Sequence, residues 1–414
     1  MLEDFIPLKS VQRQRSGVFG AYLDAFCAHL EEHGYARATI RTKLWAVGYL
    51  ARWMEARDLA VADLNERRID ECIDARCRSG RACRGYPSTM LQLLDVLRST
   101  GVVPRSDHHC EESPATVLMG RYEAYLRRER ALAETTITGY RPFVLEFIAD
   151  HLRDGSDRPS VLGPRDVEEF LLARVRKMAP KRGLLMGSAL RSFLRFLFLR
   201  SETEVDLALA VPTVRQWRLS TVPRHLPADD VERLLQACDT SSATGRRNHA
   251  ILLLLARLGL RASEIVSLEL GDLRWREGEI IVRGKGEVHD SLPLLADVGG
   301  ALTLYLTEDR PTCASRRVFL CMRAPHRGFS HPSSVSTIVA RTLARAGIVS
   351  PTRGAHLLRH SLATTMVRRG ASLTEIGEVL RHRSPNSTEI YAKLDFGALR
   401  DVALPWPVSI GGAL

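Results

Sequence analysis

No apolar run in this sequence approaches the roughly 20 residues needed to cross a bilayer; the longest, Ala250 to Ala256, is far shorter. The opening MLEDFIPLKS has no basic stretch followed by an apolar one, so no secretory signal is read there and the expected compartment is the cytoplasm. None of the eight cysteines forms a CxxC pair. Cys72, Cys77 and Cys83 lie near one another, but their spacing fits no common zinc module, and reduced thiols are expected. Acidic charge is in short supply: 48 Asp and Glu stand against 59 Lys and Arg, a net +11. A surplus of that sign favours a polyanionic partner, most simply nucleic acid. Membrane spans and disulfide scaffolds drop out. The 414 residues, 45% hydrophobic and 26% charged, are enough for two or three globular domains with real cores.

What is present is mostly helical pattern. The first half reads as a degenerate repeat, one copy from Phe26 to Met54 and the other from Tyr122 to Leu152. Each copy shows an amphipathic helix, a short break, a Thr-Ile step (Thr39-Ile40, Thr136-Ile137) and a second amphipathic helix. Each is followed by a helix with an acidic start, at ADLNERRIDECI and GPRDVEEFLLARV, and closes on a longer apolar helix. HHCEESP, from His108, reads as the linker between the blocks. VPTVRQWRLSTVPRHLP, rich in Pro and Arg, reads as a basic linker suited to a DNA backbone. The predicted organisation is a helical block over 1–110, a second over 111–210, the linker over 211–227 and a third domain over 228–414. In the last, PADDVERLLQAC starts a helix and RRNHAILLLLARLGL is a buried helix stopping at Gly259. RASEIVSLEL opens another, and GEIIVRGKGEVHDSLPL carries the signal of a β-hairpin. Further helices are predicted at Ser333–Ala346, His356–Arg369 and Leu373–Arg381. The fold class is mainly α with a small β-sheet.

Six residues of the last third stand out: Arg261, Lys285, His356, Arg359, His382 and Tyr391. A set of two arginines, a lysine, two histidines and a tyrosine can hold a dianionic phosphorus centre while a phenol attacks it. Arg261 begins a helix, where it and unpaired backbone N–H groups would address one phosphate, and Glu264 one turn on would fix its rotamer. Lys285 sits in a glycine-flanked turn that can carry it into a groove. His356 and Arg359, at i and i+3, share a helix face. His360 lies four residues after His356, but zinc proteases of that spacing carry Glu directly after the first His, and here it is Leu357. No metal site is therefore read there. Taken singly, each of these residues has an ordinary structural explanation. Their order and combination do not.

LGLRASEIVSLELGDL, RGKGE, HLLRHSLAT and LRHRSPNSTEIYAKL together resemble the tyrosine recombinase (phage integrase) family, over roughly Asp229 to Leu394. The resemblance implies a catalytic α+β domain preceded by helical DNA-binding domains, here with an extra block of the core-binding kind at the N-terminus. It implies that Tyr391 attacks the scissile phosphodiester to form a 3′-phosphotyrosyl enzyme and a free 5′-hydroxyl. Arg261 and Arg359 would neutralise the transition state, His356 would help take the tyrosine proton, His382 would donate to a non-bridging oxygen and Lys285 would protonate the leaving oxygen. No metal and no small-molecule cofactor are implied. Two departures are visible: the glycine usually found before the second histidine is Arg381, and the basic residue usually found after the lysine turn is missing, with Asp290 near its place.

The implied partners are double-stranded DNA and further copies of the chain or related recombinases, in a synaptic tetramer, with no membrane. Two helical blocks and a basic linker suggest DNA enclosed between lobes. The apolar, proline-broken tail after Tyr391 is expected to dock on a neighbouring subunit. Two other readings remain at this stage: a type IB topoisomerase-like strand relaxase, and a non-catalytic regulator using Leu373–Tyr391 as a helix-turn-helix.

Overall fold

The structure is a computed structural model that describes residues 2–80, 84–104, 113–152, 159–213, 222–284, 289–350 and 352–394. The chain divides into two compact units, one formed by residues 1–105 together with 221–414, the other by residues 106–220.

In the first unit, helix α1 (Leu8–Arg15) precedes α2 (Leu23–Glu32), α3 (Arg37–Glu55), α4 (Glu66–Arg78) and α5 (Tyr86–Ser99). Their apolar stripes close on a core of their own, with Phe26, Leu44, Leu50, Met54, Met90 and Leu97 fully buried. The second unit repeats the order with α6 (Pro114–Arg128), α7 (Glu134–His151), α8 (Pro164–Val175) and α9 (Pro180–Leu199), around Tyr122, Phe147, Phe193 and Leu197. The Thr-Ile steps explain the likeness. Each opens the long second helix, after an alanine N-cap with nearly equal backbone angles (φ −63°, ψ 145° at Ala36; φ −64°, ψ 144° at Ala133). Ile40 and Ile137 then turn inward at one position of the first turn, each 1% exposed.

The C-terminal part of the first unit contains α10 (Ala228–Gln236), α11 (Ala243–Arg257), α12 (Ala262–Ser267), α13 (Ala296–Leu304), α14 (Ser333–Arg345), α15 (His356–Arg368) and α16 (Leu373–Val379). The apolar run Ala250–Ala256 is the C-terminal half of α11 and is buried all round, as a helical stretch without a polar face must be. A three-stranded antiparallel sheet, β1 (Leu273–Arg274), β2 (Glu279–Arg283) and β3 (His289–Pro293), lies in that order. The predicted hairpin is β2–β3, with Val282 opposite Asp290 and Ile280 opposite Leu292. Ile280 and Val282 reach the core. The two-residue β1 was not anticipated, because two residues cannot display an alternation.

Among the described residues, His33 and Gly34 touch the C-terminal part at His326. The His326 backbone N–H donates to the His33 carbonyl at 3.0 Å. Gly34 beside it has φ +76°, and a Cβ there would stand 2.0 Å from the His326 ring.

Candidate active site

The site is assembled where helices end. Gly259 stops α11 with φ +59°, and a Cβ on it would lie 2.8 Å from Leu380 and 3.0 Å from Leu362. Only glycine fits. The chain then turns at once into α12, with Arg261 at its N-cap. Arg261 was expected to leave backbone N–H groups open to a phosphate. Instead its own N–H donates to Glu264 Oε2 at 2.8 Å, while its guanidinium reaches Glu264 Oε1 at 2.6 Å. Glu264, predicted to fix the arginine's rotamer, does so from a position only 4% exposed.

Arg359 projects from α15 and is likewise only 4% exposed. It donates to the carbonyls of Gly259 and Leu380, the open C-terminal ends of α11 and α16. Helix C-termini carry unpaired carbonyls and partial negative charge, so a cation is favoured there. Two of the guanidinium's five N–H groups are thus spent on the scaffold, which fixes the direction of the rest. Arg261 makes a similar bond to the Arg381 carbonyl at 3.2 Å.

Arg381 is the surprise. α16 was expected to reach it but stops at Val379, because Arg381 adopts φ +54°. That backbone suits glycine and costs other residues roughly 1–2 kcal/mol. Its side chain folds inward, 5% exposed, and its Nη2 pairs with Glu264 Oε2 at 2.9 Å. Two arginines therefore share one buried carboxylate.

His382 follows directly, its Nδ1 2.7 Å from the Thr388 hydroxyl. Tyr391 lies in a short 3₁₀ turn and belongs to a small core with Ala363, Val367, Ile376, Leu380 and Leu394. It is 1% exposed, and its hydroxyl is 2.7 Å from Nδ1 of His360. His356 opens α15 on the exposed side, its ring centroid 6.4 Å from that of His360. In this arrangement the imidazole on the phenol is His360. The sequence showed His360 only as a possible metal partner of His356, and no local pattern tells which of two histidines one turn apart meets a tyrosine 31 residues on. Lys285 lies outside the described residues, as do residues 214–221 of the basic linker and the tail from residue 395.

The charges act on one another strongly. Burial, then the neighbouring Arg261 and Arg381 cations, bring the Arg359 guanidinium down to about 10. Burial pushes the Glu264 carboxyl up, but the Arg261 N–H and the Arg381 and Arg261 guanidiniums outweigh it, and the group stays below its usual range. Burial, then Arg359 and Arg261, hold His382 down to about 4. Burial, His356 and Arg359 bring His360 to about 4 as well. Burial lifts the Tyr391 phenol to about 12 against the pull of Arg359. At neutral pH the histidines are neutral and the phenol keeps its proton. Three guanidiniums gather around the Glu264 carboxylate, with Asp290 4.0 Å from Arg381, so the cluster keeps a net positive charge. That positive field favours the doubly negative pentacoordinate transition state of a phosphodiester. Among the described residues, no group of three or more His, Cys, Asp or Glu is placed to hold a metal ion, and no helix is long and apolar enough to cross a membrane.

Comparison with known proteins gives the family. The model of the phage integrase family matches residues 224–397, and that of the phage integrase N-terminal SAM-like domain matches 119–201. A putative integrase/recombinase, y4rA of Sinorhizobium fredii, is 41% identical over 400 residues, 96% of this chain and 97% of that one. The tyrosine recombinase XerD of Listeria monocytogenes is 31% identical over 284 residues, 67% of this chain and 94% of XerD. Among solved structures, XerH recombinase bound to its palindromic difH substrate after cleavage superposes with a TM-score of 0.54 at 19% identity, covering 87% of this chain and 94% of that one. A lambda integrase (75–356) dimer on a core site gives 0.52 at 17%, covering 68% and 95%. The chain belongs to the phage integrase family: it is a site-specific recombinase of the tyrosine type.

Proposed function

We propose that this chain cuts and rejoins duplex DNA through a covalent bond between Tyr391 and a 3′-phosphate, in the integration, excision or transposition of a DNA element. The observation that carries this is the convergence of Arg261, Arg359 and His382 beside a buried tyrosine, held by helix ends rather than by flexible loops. The phenol oxygen attacks phosphorus, the P–O5′ bond breaks, and the phosphodiester energy is kept for religation. Arg261 and Arg359 neutralise the transition state, and His382 donates to a non-bridging oxygen. Lys285 protonates the leaving 5′-oxygen, and His356 assists loss of the phenolic proton. The cations supply the charge, so cleavage proceeds without a metal. In the resting geometry the Tyr391 hydroxyl is bonded to His360 Nδ1.

The relatives named integrase or recombinase, and the solved complexes of recombinases with DNA, support double-stranded DNA as the partner. A lambda integrase tetramer bound to a Holliday junction supports self-assembly into a tetramer. The test uses nicked duplexes from DNA flanking the gene of this protein, in buffer with EDTA. A species resistant to SDS and sensitive to protease is expected, and Tyr391→Phe is expected to abolish it. Adducts that persist in that variant would reassign the nucleophile, and activity restored only by added Mg²⁺ or Zn²⁺ would replace the mechanism.

A further inference from the structure

We infer that Arg381 is a positioning residue for strand cleavage, setting the Glu264–Arg261 pair and adding a third guanidinium to the field felt by the scissile phosphate; this rests on the recombinase reading above.

Four observations lead there. Arg381 occupies a left-handed backbone position that glycine would fill without strain, so something in the folded state offsets the cost of a side chain. The side chain is 5% exposed, unlike a solvated surface arginine. Its Nη2 takes Glu264 Oε2 at 2.9 Å while Arg261 takes Oε1 at 2.6 Å, so the carboxylate is clamped between two forks and Arg261 is aimed by it. Its buried Nε has no hydrogen-bond partner among the described residues, and Asp290 Oδ2 on β3 stands off at 4.0 Å.

The geometry ties two elements to one side chain: the start of α12 through Glu264 and the turn that carries His382. A plain structural ion pair would stop at Glu264. Here the Arg381 carbonyl also receives Arg261, so both ends of the residue bear on the same catalytic guanidinium. Removing the side chain leaves Glu264 to Arg261 alone and takes one positive charge out of the cluster.

The experiment compares the full chain with Arg381→Gly on nicked duplexes that trap the tyrosyl adduct, in single turnover at saturating DNA. Glycine relieves the backbone, so the melting temperature is expected to be unchanged or higher and DNA binding to stay within about threefold, while the adduct rate falls at least about tenfold. A second substrate carries a methylphosphonate at the scissile position, which removes one anionic oxygen. On it the gap between variant and parent is expected to shrink to less than about threefold, since less charge needs neutralising. A merely structural effect would slow both substrates alike. Arg381→Gln, which keeps a hydrogen bond to Glu264 without the charge, is read in the same way should the glycine variant not fold. Equal adduct rates for variant and parent, or the same deficit on both substrates, would overturn the inference. A parent chain that binds DNA but forms no adduct would instead overturn the recombinase reading.

Discussion

At the residue scale the site is a balance of groups kept from their ordinary protonation. His360 and His382 sit near 4 because burial and guanidiniums disfavour their charged forms. The consequence for stability has a definite sign. An unfolded chain binds a proton on each histidine below about 6.5, and the folded chain does not. Stability is therefore untouched above that value and is lost as pH falls from about 6.5 toward 4, by up to roughly 1.4 kcal/mol per pH unit for each excluded proton. His29 and His249, also lowered by burial, act in the same direction. Thermal melts from pH 7 to pH 4.5 are expected to show a steady fall. His360→Gln keeps a partner for the Tyr391 hydroxyl without a titrating group, so its melting point at pH 7 is expected to stay close to the parent's and its acid loss to be shallower. An identical pH slope in both proteins would remove His360 from the account.

At the element scale the critical feature is the abrupt end of α11. Gly259 makes the left-handed turn without strain, and its carbonyl anchors Arg359. Gly259→Ala adds a left-handed strain of roughly 1–2 kcal/mol and pushes a methyl into Leu380 and Leu362, for about another 1–3 kcal/mol. Denaturant unfolding is expected to show a loss of about 2–5 kcal/mol. Adduct formation is expected to fall as well, because Arg359 loses its backstop. A variant as stable as the parent would mean that the helix end relaxes at little expense.

At the scale of the whole molecule, charge and partition make different predictions. The surplus of basic residues makes DNA affinity a matter of counterion release, so raising salt from 50 to 200 mM is expected to weaken binding by roughly 10³ to 10⁵ if some 6–10 phosphates are contacted. The partition into two units bears on truncation. Residues 106–220 carry their own core around Tyr122, Phe147 and Phe193, and a fragment of that span is expected to fold and melt cooperatively alone. Residues 1–105 belong instead to the unit that holds the active site, and deleting them uncovers His326. Their removal is expected to lower the melting point of the remaining chain by several degrees, measured by calorimetry. An unchanged melting point would make the block thermodynamically independent.

The sequence by itself determined the helical class, the hairpin, the doubled helical block and the family, because these rest on local periodicity, turn residues and the spacing of motifs along one chain. It also named Arg261, His356, Arg359, His382 and Tyr391, whose order is a one-dimensional property. Tertiary structure alone decided that His360, rather than His356, meets the Tyr391 phenol, since both lie on α15 and only the packing of the Tyr391 turn selects between them. It alone showed Arg381 turned inward onto Glu264, 117 residues away in the chain, through a backbone angle that an arginine's identity gives no reason to expect. It alone joined residues 1–105 to the C-terminal part, a contact between His33 and His326 that no local pattern encodes. Pattern along the chain reports which faces are buried. Which buried charges share a carboxylate is settled by long-range packing, where each group's protonation depends on neighbours that sequence distance does not bring together.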